Sequence, residues 1–176
     1  MKKLSSVMSS DTTRYILNKI LEQKSKEWIE KTVDAFLIHS QVPEMGSVLY
    51  CNLVLALEHT GIYVGDGKVV HLKGNGIIEM VSFTEFIKRL EGRNFSYSIF
   101  CATDINGKSI GSKEVAKRAL EMVGEKRKYN LLFDNCHCFT TYCLTGIKYP
   151  IGSFTLVEEV LRSKFGFVRW RAINIS

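Results

Sequence analysis

The stretch His59-Thr60-Gly61-Ile62-Tyr63-Val64-Gly65-Asp66-Gly67-Lys68-Val69-Val70-His71-Leu72 reads as two short strands joined at a Gly-Asp-Gly turn. Side chains alternate along a strand, so the length of the turn fixes which residues share a face. A three-residue loop over 65–67 sets Val64 against Lys68 and Gly61 against His71. His59 and His71 then stand on one face as diagonal neighbours. Gly61 has no side chain, which leaves their rings room to approach. A two-residue loop would send the two rings to opposite faces.

Around this hairpin, strand patterns occupy the middle of the chain and helical patterns surround them. Ser47 to Ala56 precedes it as a strand, and Ile77 to Val81 follows it. Ser82-Phe83-Thr84-Glu85 matches a capping box and opens a short helix to about Leu90. Phe95 to Ala102 returns to strand. Ser112 is placed to cap a helix that Gly124 ends, with Val115, Ala119, Leu120 and Val123 on one face. Asn135 is the expected N-cap of a helix from Cys136 to about Leu144, closed near Gly146. A helix over Val157 to Ser163 and a strand over Phe167 to Ile175 complete the order. Upstream, Tyr15, Ile16, Ile20, Leu21, Trp28, Ile29, Val33 and Phe36 keep a helical spacing across residues 11–40. Pro43 and Gly46 mark a boundary. Residues 1–42 are therefore expected to form a helical extension, and residues 43–176 a second domain. Strands clustered among helices give an α+β fold class.

The cysteines bear on both compartment and chemistry. There are five, Cys51, Cys101, Cys136, Cys138 and Cys143. An odd number without an export signal points to free thiols in a reducing compartment. The crowding of the last three invites a zinc reading, but Cys-x-Cys-x4-Cys lacks the paired Cys-x2-Cys clusters of structural zinc domains. Cys136 differs from the others in opening a helix. Unpaired N–H groups and the helix dipole favour a negative charge there, which lowers a thiol's pKa. The same N–H groups suit the oxyanion of an acyl-transfer intermediate. A small buried hydrophobe is the other reading of Cys136, and the one that fits Cys138 and Cys143. Of the four histidines, His39, His59, His71 and His137, the hairpin pair supplies a base and an orienting group for a nucleophilic triad. Two half-buried rings, or two ligands of a zinc ion shared with a cysteine, are the alternatives.

Composition narrows the setting. The chain has 176 residues, 45% of them apolar, enough for one domain with a packed core. No window approaches the roughly 18 consecutive apolar residues of a membrane-spanning helix. Leu4 to Thr13 is rich in Ser and Thr rather than apolar, so a cytosolic location is expected. The net charge is +6, with a basic run at Lys126, Arg127 and Lys128 and further cations at Arg162, Lys164, Arg169 and Arg171. These read as solvated surface, or as attraction to an anionic membrane. No nucleic-acid motif is present, and no nucleic-acid partner is expected.

The hairpin from His59 to Leu72 resembles the His-containing hairpin of the lecithin retinol acyltransferase family, which includes the phospholipase A and acyltransferase enzymes. Its two histidines stand twelve positions apart across a Gly-Asp-Gly turn, as in this chain. Pro43-Glu-Met-Gly46-Ser-Val-Leu49 is similar to the start of the family's first strand. Asn135-Cys136-His137-Cys138-Phe139 is similar to its Asn-Cys-Glu-His-Phe nucleophile motif, and Ala119 to Gly124 with Tyr129-Asn130 also fits. The resemblance runs from about residue 43 to 146. It implies a circularly permuted papain-like (NlpC-type) fold, with an antiparallel sheet packed against the helix that carries the cysteine.

In that fold Cys136 is the nucleophile, His59 its general base and His71 the residue that orients His59. The implied reaction is attack on a lipid acyl ester, a thioester on Cys136, and transfer to water, an amine or an alcohol, with no cofactor and no metal. A lipid partner and peripheral membrane contact follow from it, and residues 43–176 become the catalytic domain. The chain departs from the motif at His137, expected on the helix surface, and at Cys138. Two other readings remain: an NlpC-type cysteine peptidase or amidase, and a non-catalytic interaction module. An apolar pocket lined by Ile62, Phe139 and Leu144 would favour esters. The joint presence of His59, His71 and Cys136 speaks against the module.

Overall fold

The structure, a computed structural model, describes residues 42–52, 58–88, 98–130 and 134–173. The chain divides into two units, Met1–Ile38 and His39–Ser176, and the described residues belong to the second. The helical spacing read over 11–40 lies outside them. So do the outer parts of four expected elements, at residues 53–56, 89–90, 95–97 and 174–175.

The architecture is α+β. An antiparallel six-stranded sheet runs in the order β4-β3-β2-β1-β5-β6. Its strands are β1 (Val48–Asn52), β2 (Glu58–Gly65), β3 (Lys68–Leu72), β4 (Ile78–Ser82), β5 (Phe100–Thr103) and β6 (Arg169–Ala172). The helices among the described residues are α1 (Phe83–Ile87), α2 (Lys113–Glu121), α3 (Cys136–Thr145) and α4 (Phe154–Phe165). The Ser82–Glu85 capping box forms as its sequence requires, with both reciprocal bonds present. α4 begins three residues before the expected Val157, because Ser153 accepts the Leu156 N–H and so takes the N-cap.

The central hairpin reaches the expected register by a different route. Gly65 pairs with Lys68, so the turn has two residues, not three. Asp66 and Gly67 both take positive φ, 49° and 65°, as a tight turn matched to strand twist requires. Further along, Ile62 pairs with Val70 and Tyr63 with Val69, so a bulge at Val64 absorbs one residue. Bulge and short turn together restore the register that a three-residue loop would set. His59 and His71 therefore share a face.

Strand alternation sorts the buried residues into two layers. Val48, Ile62, Val64, Val70 and Leu72 face the helices and meet Val115 and Ala119 of α2, Phe139 of α3, and Val157 and Leu161 of α4. Leu49, Cys51, Val69, Ile99 and Cys101 lie on the other face beneath Phe86 of α1. Burying one large aliphatic or aromatic side chain contributes about 1.5–3 kcal/mol, so the larger helix-side cluster dominates stability. On α2 the buried residues are Val115, Ala116 and Ala119, whose small side chains allow close approach to the sheet. Leu120 and Val123, expected on that face, are 43% and 41% exposed. Leu120 lies one residue further round the helix, and Val123 falls past its end.

Candidate active site

β2 and β3 bring the two histidines into direct contact. Nε2 of His59 lies 3.0 Å from Nδ1 of His71, with the rings edge to face at 84°. Both residues are buried. Phe86 packs against both rings, with centroid separations of 5.3 and 5.5 Å. Gly61 makes this possible: a Cβ there would stand 2.7 Å from Val69 Cγ1 and 3.1 Å from His71 Cβ. Across the next hairpin, Glu79 is the strand partner of His71. Its Oε1 lies 3.5 Å from His71 Nε2, and Lys73 Nζ lies 3.4 Å from the same oxygen.

Cys136 opens α3. Asn135 is extended and its Oδ1 accepts the N–H groups of His137 and Cys138 at 2.9 and 3.0 Å, a well-formed N-cap. Asn135 Nδ2 donates to the Gly152 carbonyl at 2.9 Å. A Cβ on Gly152 would lie 2.5 Å from both Asn135 Oδ1 and Cys138 Sγ, so only glycine fits against this cap. The cap engages two of the N–H groups that a helix start would otherwise offer to an oxyanion. Gly146 closes the helix at φ 73°.

The Cys136 thiol is pushed up, not down as its helix position suggests. Burial is the main cause, opposed by hydrogen bonds from the backbone and hydroxyl of Thr60 and from the N–H groups of Cys136 and His137. The residue is only 4% exposed, and removing a thiolate from water outweighs a few oriented dipoles. The Cys101 thiol is pushed up to about 12 by burial, and that of Cys143 upward too, despite nearby Arg127 and Arg118. Arg127 is itself no solvated member of a basic run. Its guanidinium lies 3.5 Å from Glu125 and 3.6 Å from Asp134.

Thr60 is the residue that sequence reasoning passed over. Its Oγ1 donates to the Cys136 carbonyl at 3.2 Å, accepts from Thr140 Oγ1 at 2.9 Å and lies 3.2 Å from His137 Nδ1. The available signal was a hydroxyl on the helix-facing side of a strand whose other residues there, Ile62 and Val64, are apolar. His137 is not a surface residue either. It lies between Thr60 and Phe154, with a ring separation of 5.9 Å from the latter. Burial brings its pKa down to about 4, so it is neutral near pH 7. Ile62, Phe139 and Leu144 are buried in the core on the helix side of the sheet, and α3 is buried nearly all round. Among the described residues, no three His, Cys, Asp or Glu side chains converge as a metal site would need. His39 lies outside those residues.

The structure thus joins His59 to His71, and sets Cys136 against Thr60, the chain neighbour of His59. Comparison with known proteins covers the stretch of chain that carries these residues. The sequence model of the family described as lecithin retinol acyltransferase matches residues 41–149. Human phospholipase A and acyltransferase 2 is 31% identical over 103 residues, covering 51% of this chain and 63% of that protein. Rat lecithin retinol acyltransferase is 27% identical over 113 residues, 50% of this chain and 48% of the relative. The bovine protein of the same name is 29% identical over 115 residues, 51% and 50% respectively. The chain thus spans less than two thirds of the length of each of these curated relatives. With a match across more than half of its residues, including the histidine hairpin and the Asn135-Cys136 helix start, the chain belongs to the lecithin retinol acyltransferase family.

Proposed function

We propose that the chain is a thiol-dependent acyltransferase or acyl hydrolase acting on lipid acyl esters. Cys136 is the nucleophile, His59 the general base and His71 the group that orients His59. The observation that carries this reading is the buried 3.0 Å contact between His59 and His71, one residue from the Thr60 that holds the start of α3. Family membership supports it, as do relatives named as acyltransferases.

Burial gives the chemistry its form. A lone thiolate at Cys136 is disfavoured, so the thiol ionises by passing its proton to a neighbouring base. The Thr60 backbone hydrogen-bonds the thiol, so Cys136 approaches β2 close to the His59–Thr60 peptide rather than high over one face of the sheet. That approach supports partnership with a base on the face opposite α3. The thiolate attacks the ester carbonyl and the alcohol leaves, giving a thioester on Cys136. Water, an amine or an alcohol then takes the acyl group. This mechanism uses no cofactor and no metal.

The same reading takes residues 43–176 as the catalytic domain. It takes the fold as a circularly permuted papain-like arrangement, in which the histidine strands precede the cysteine helix. The net charge of +6 supports peripheral contact of a cytoplasmic protein with anionic membranes, and no helix of the described residues is long and apolar enough to cross a membrane.

The test is an intact-mass measurement of the protein incubated with mixed phospholipid vesicles, beside Cys136→Ala. A fatty-acyl increment on the wild type, absent from the variant, is expected. Absence of both adduct and released fatty acid would overturn the lipid reading, and turnover of a peptide amide in its place would move the protein to the peptidase class.

A further inference from the structure

We infer that Glu79 is a positioning residue of this site, which selects the tautomer of His71 and, through it, the tautomer of His59. The inference rests on the roles proposed for Cys136, His59 and His71.

The register of the β3–β4 hairpin places position 79 directly across from position 71. Cross-strand partners project to the same face, so the carboxylate lies on the face that carries the histidine pair. Its Oε1 is 3.5 Å from His71 Nε2. That is the outer edge of hydrogen-bond range, and such contacts in a site without substrate commonly tighten when substrate binds. His71 is fully buried, whereas the Glu79 side chain is 29% exposed and keeps contact with water. Lys73 Nζ, 3.4 Å from the same oxygen, holds it in place. Among the described residues, the groups facing the pair include Glu79 from β4, Cys51 from β1 and the apolar ring of Phe86 from α1.

The consequence is a choice between two states with the same heavy-atom geometry. A carboxylate beside Nε2 favours N–H over a bare lone pair at that atom. Neutral His71 then has its lone pair on Nδ1. That atom accepts the Nε2–H of His59 across 3.0 Å. The lone pair of His59 is therefore on Nδ1, free to take the Cys136 proton. In the reverse state His71 donates from Nδ1, the His59 lone pair is spent on that bond, and His59 Nδ1 carries a hydrogen. Such a ring is no base. When the thiol proton moves to His59, the resulting imidazolium donates to His71, whose Nε2–H faces the Glu79 charge. The transfer moves one proton from sulfur to nitrogen and needs no other reactant.

The experiment compares the full chain with Glu79→Gln, Glu79→Asp and Cys136→Ala. It follows hydrolysis of p-nitrophenyl acetate and iodoacetamide labelling of the Cys136 peptide, both from about pH 5 to 9. Thermal melting checks the fold. For Glu79→Gln the expected result is a fall in kcat of about tenfold or more with KM little changed. The labelling midpoint moves to higher pH, the melt is unchanged, and Glu79→Asp recovers part of the rate. Wild-type kcat and pH profile in Glu79→Gln would overturn the inference while the site reading stands. So would a loss of rate that follows a lowered melt with an unmoved profile. If Cys136→Ala hydrolyses the ester as fast as the wild type, the site reading itself fails and Glu79 falls with it.

Discussion

On one face of the sheet, Val48, Ile62, Val70 and Leu72 meet three helices. On the other, Leu49, Val69 and Cys101 meet one short helix and two histidines. Both faces are built from the same strands. The first is held by interdigitated volume and contains few titratable groups. The second holds two polar rings in a dry place by means of one aromatic side chain, Phe86, and one missing side chain, at Gly61. Alternation along β2 is what separates them: Thr60, Ile62 and Val64 go to the helices, His59 and Gly61 to the histidine pair. The contrast divides stability from chemistry. Among the described residues, α3 comes nearest to joining them: its body packs on the first face while its first residue, Cys136, meets β2 at Thr60, the chain neighbour of His59.

The largest expected effect tests that division directly. Phe86→Ala and Leu161→Ala each remove a fully buried side chain and should each cost about 3 kcal/mol by denaturant unfolding. Measured on the folded fraction, Leu161→Ala should keep its ester hydrolysis. Phe86→Ala should lose about tenfold or more, because both rings lose their support. Equal retention in the two variants would break the distinction between the faces.

A second effect sharpens it electrostatically, through the histidine on the helix side. The pKa of His137 falls from 6.5 to about 4 on folding. The unfolded chain therefore binds the proton first. The stabilising contribution of a neutral His137 is present above about pH 6.5 and is lost as pH falls toward about 4, up to roughly 3 kcal/mol. Chemical denaturation across that window should show the slope, and His137→Gln should flatten it. An unchanged slope in the variant would show that His137 is not held neutral by its surroundings.

The smallest change concerns the histidine side. Gly61→Ala would place a Cβ 2.7 Å from Val69 Cγ1 and 3.1 Å from His71 Cβ. It should cost about 1–3 kcal/mol through overpacking and reduce hydrolysis by more than that loss of fold explains. Wild-type kcat in a stable Gly61→Ala would mean that the rings do not depend on this close approach.

Much of this arrangement was legible in residue pattern. The alternation from His59 to Leu72, the cap at Asn135 and the capping box from Ser82 to Glu85 are local signals, and each acts through bonds within a few residues. The exact turn was not legible. A two-residue turn with a bulge and a three-residue loop leave the same register, and only the twist and pairing of the strands choose between them. Helix faces were legible in part. Ala116 and Ala119 outcompete Leu120 for the sheet because close approach rewards small side chains, and composition does not show how close two elements will come.

Sequence alone determined the succession of strands and helices around the hairpin and the place of Cys136 at a capped helix start. These follow from periodicity and capping, which are properties of neighbours along the chain. Tertiary structure decided the rest: that a bulge at Val64 returns His59 and His71 to one face, that Thr60 touches the start of α3, that Glu79 faces His71, that His137 is half-buried with a lowered pKa, and that the Cys136 thiol is raised by burial. Each of these depends on contact between residues far apart in the chain and on the exclusion of water, and neither exists until the sheet and helices have packed.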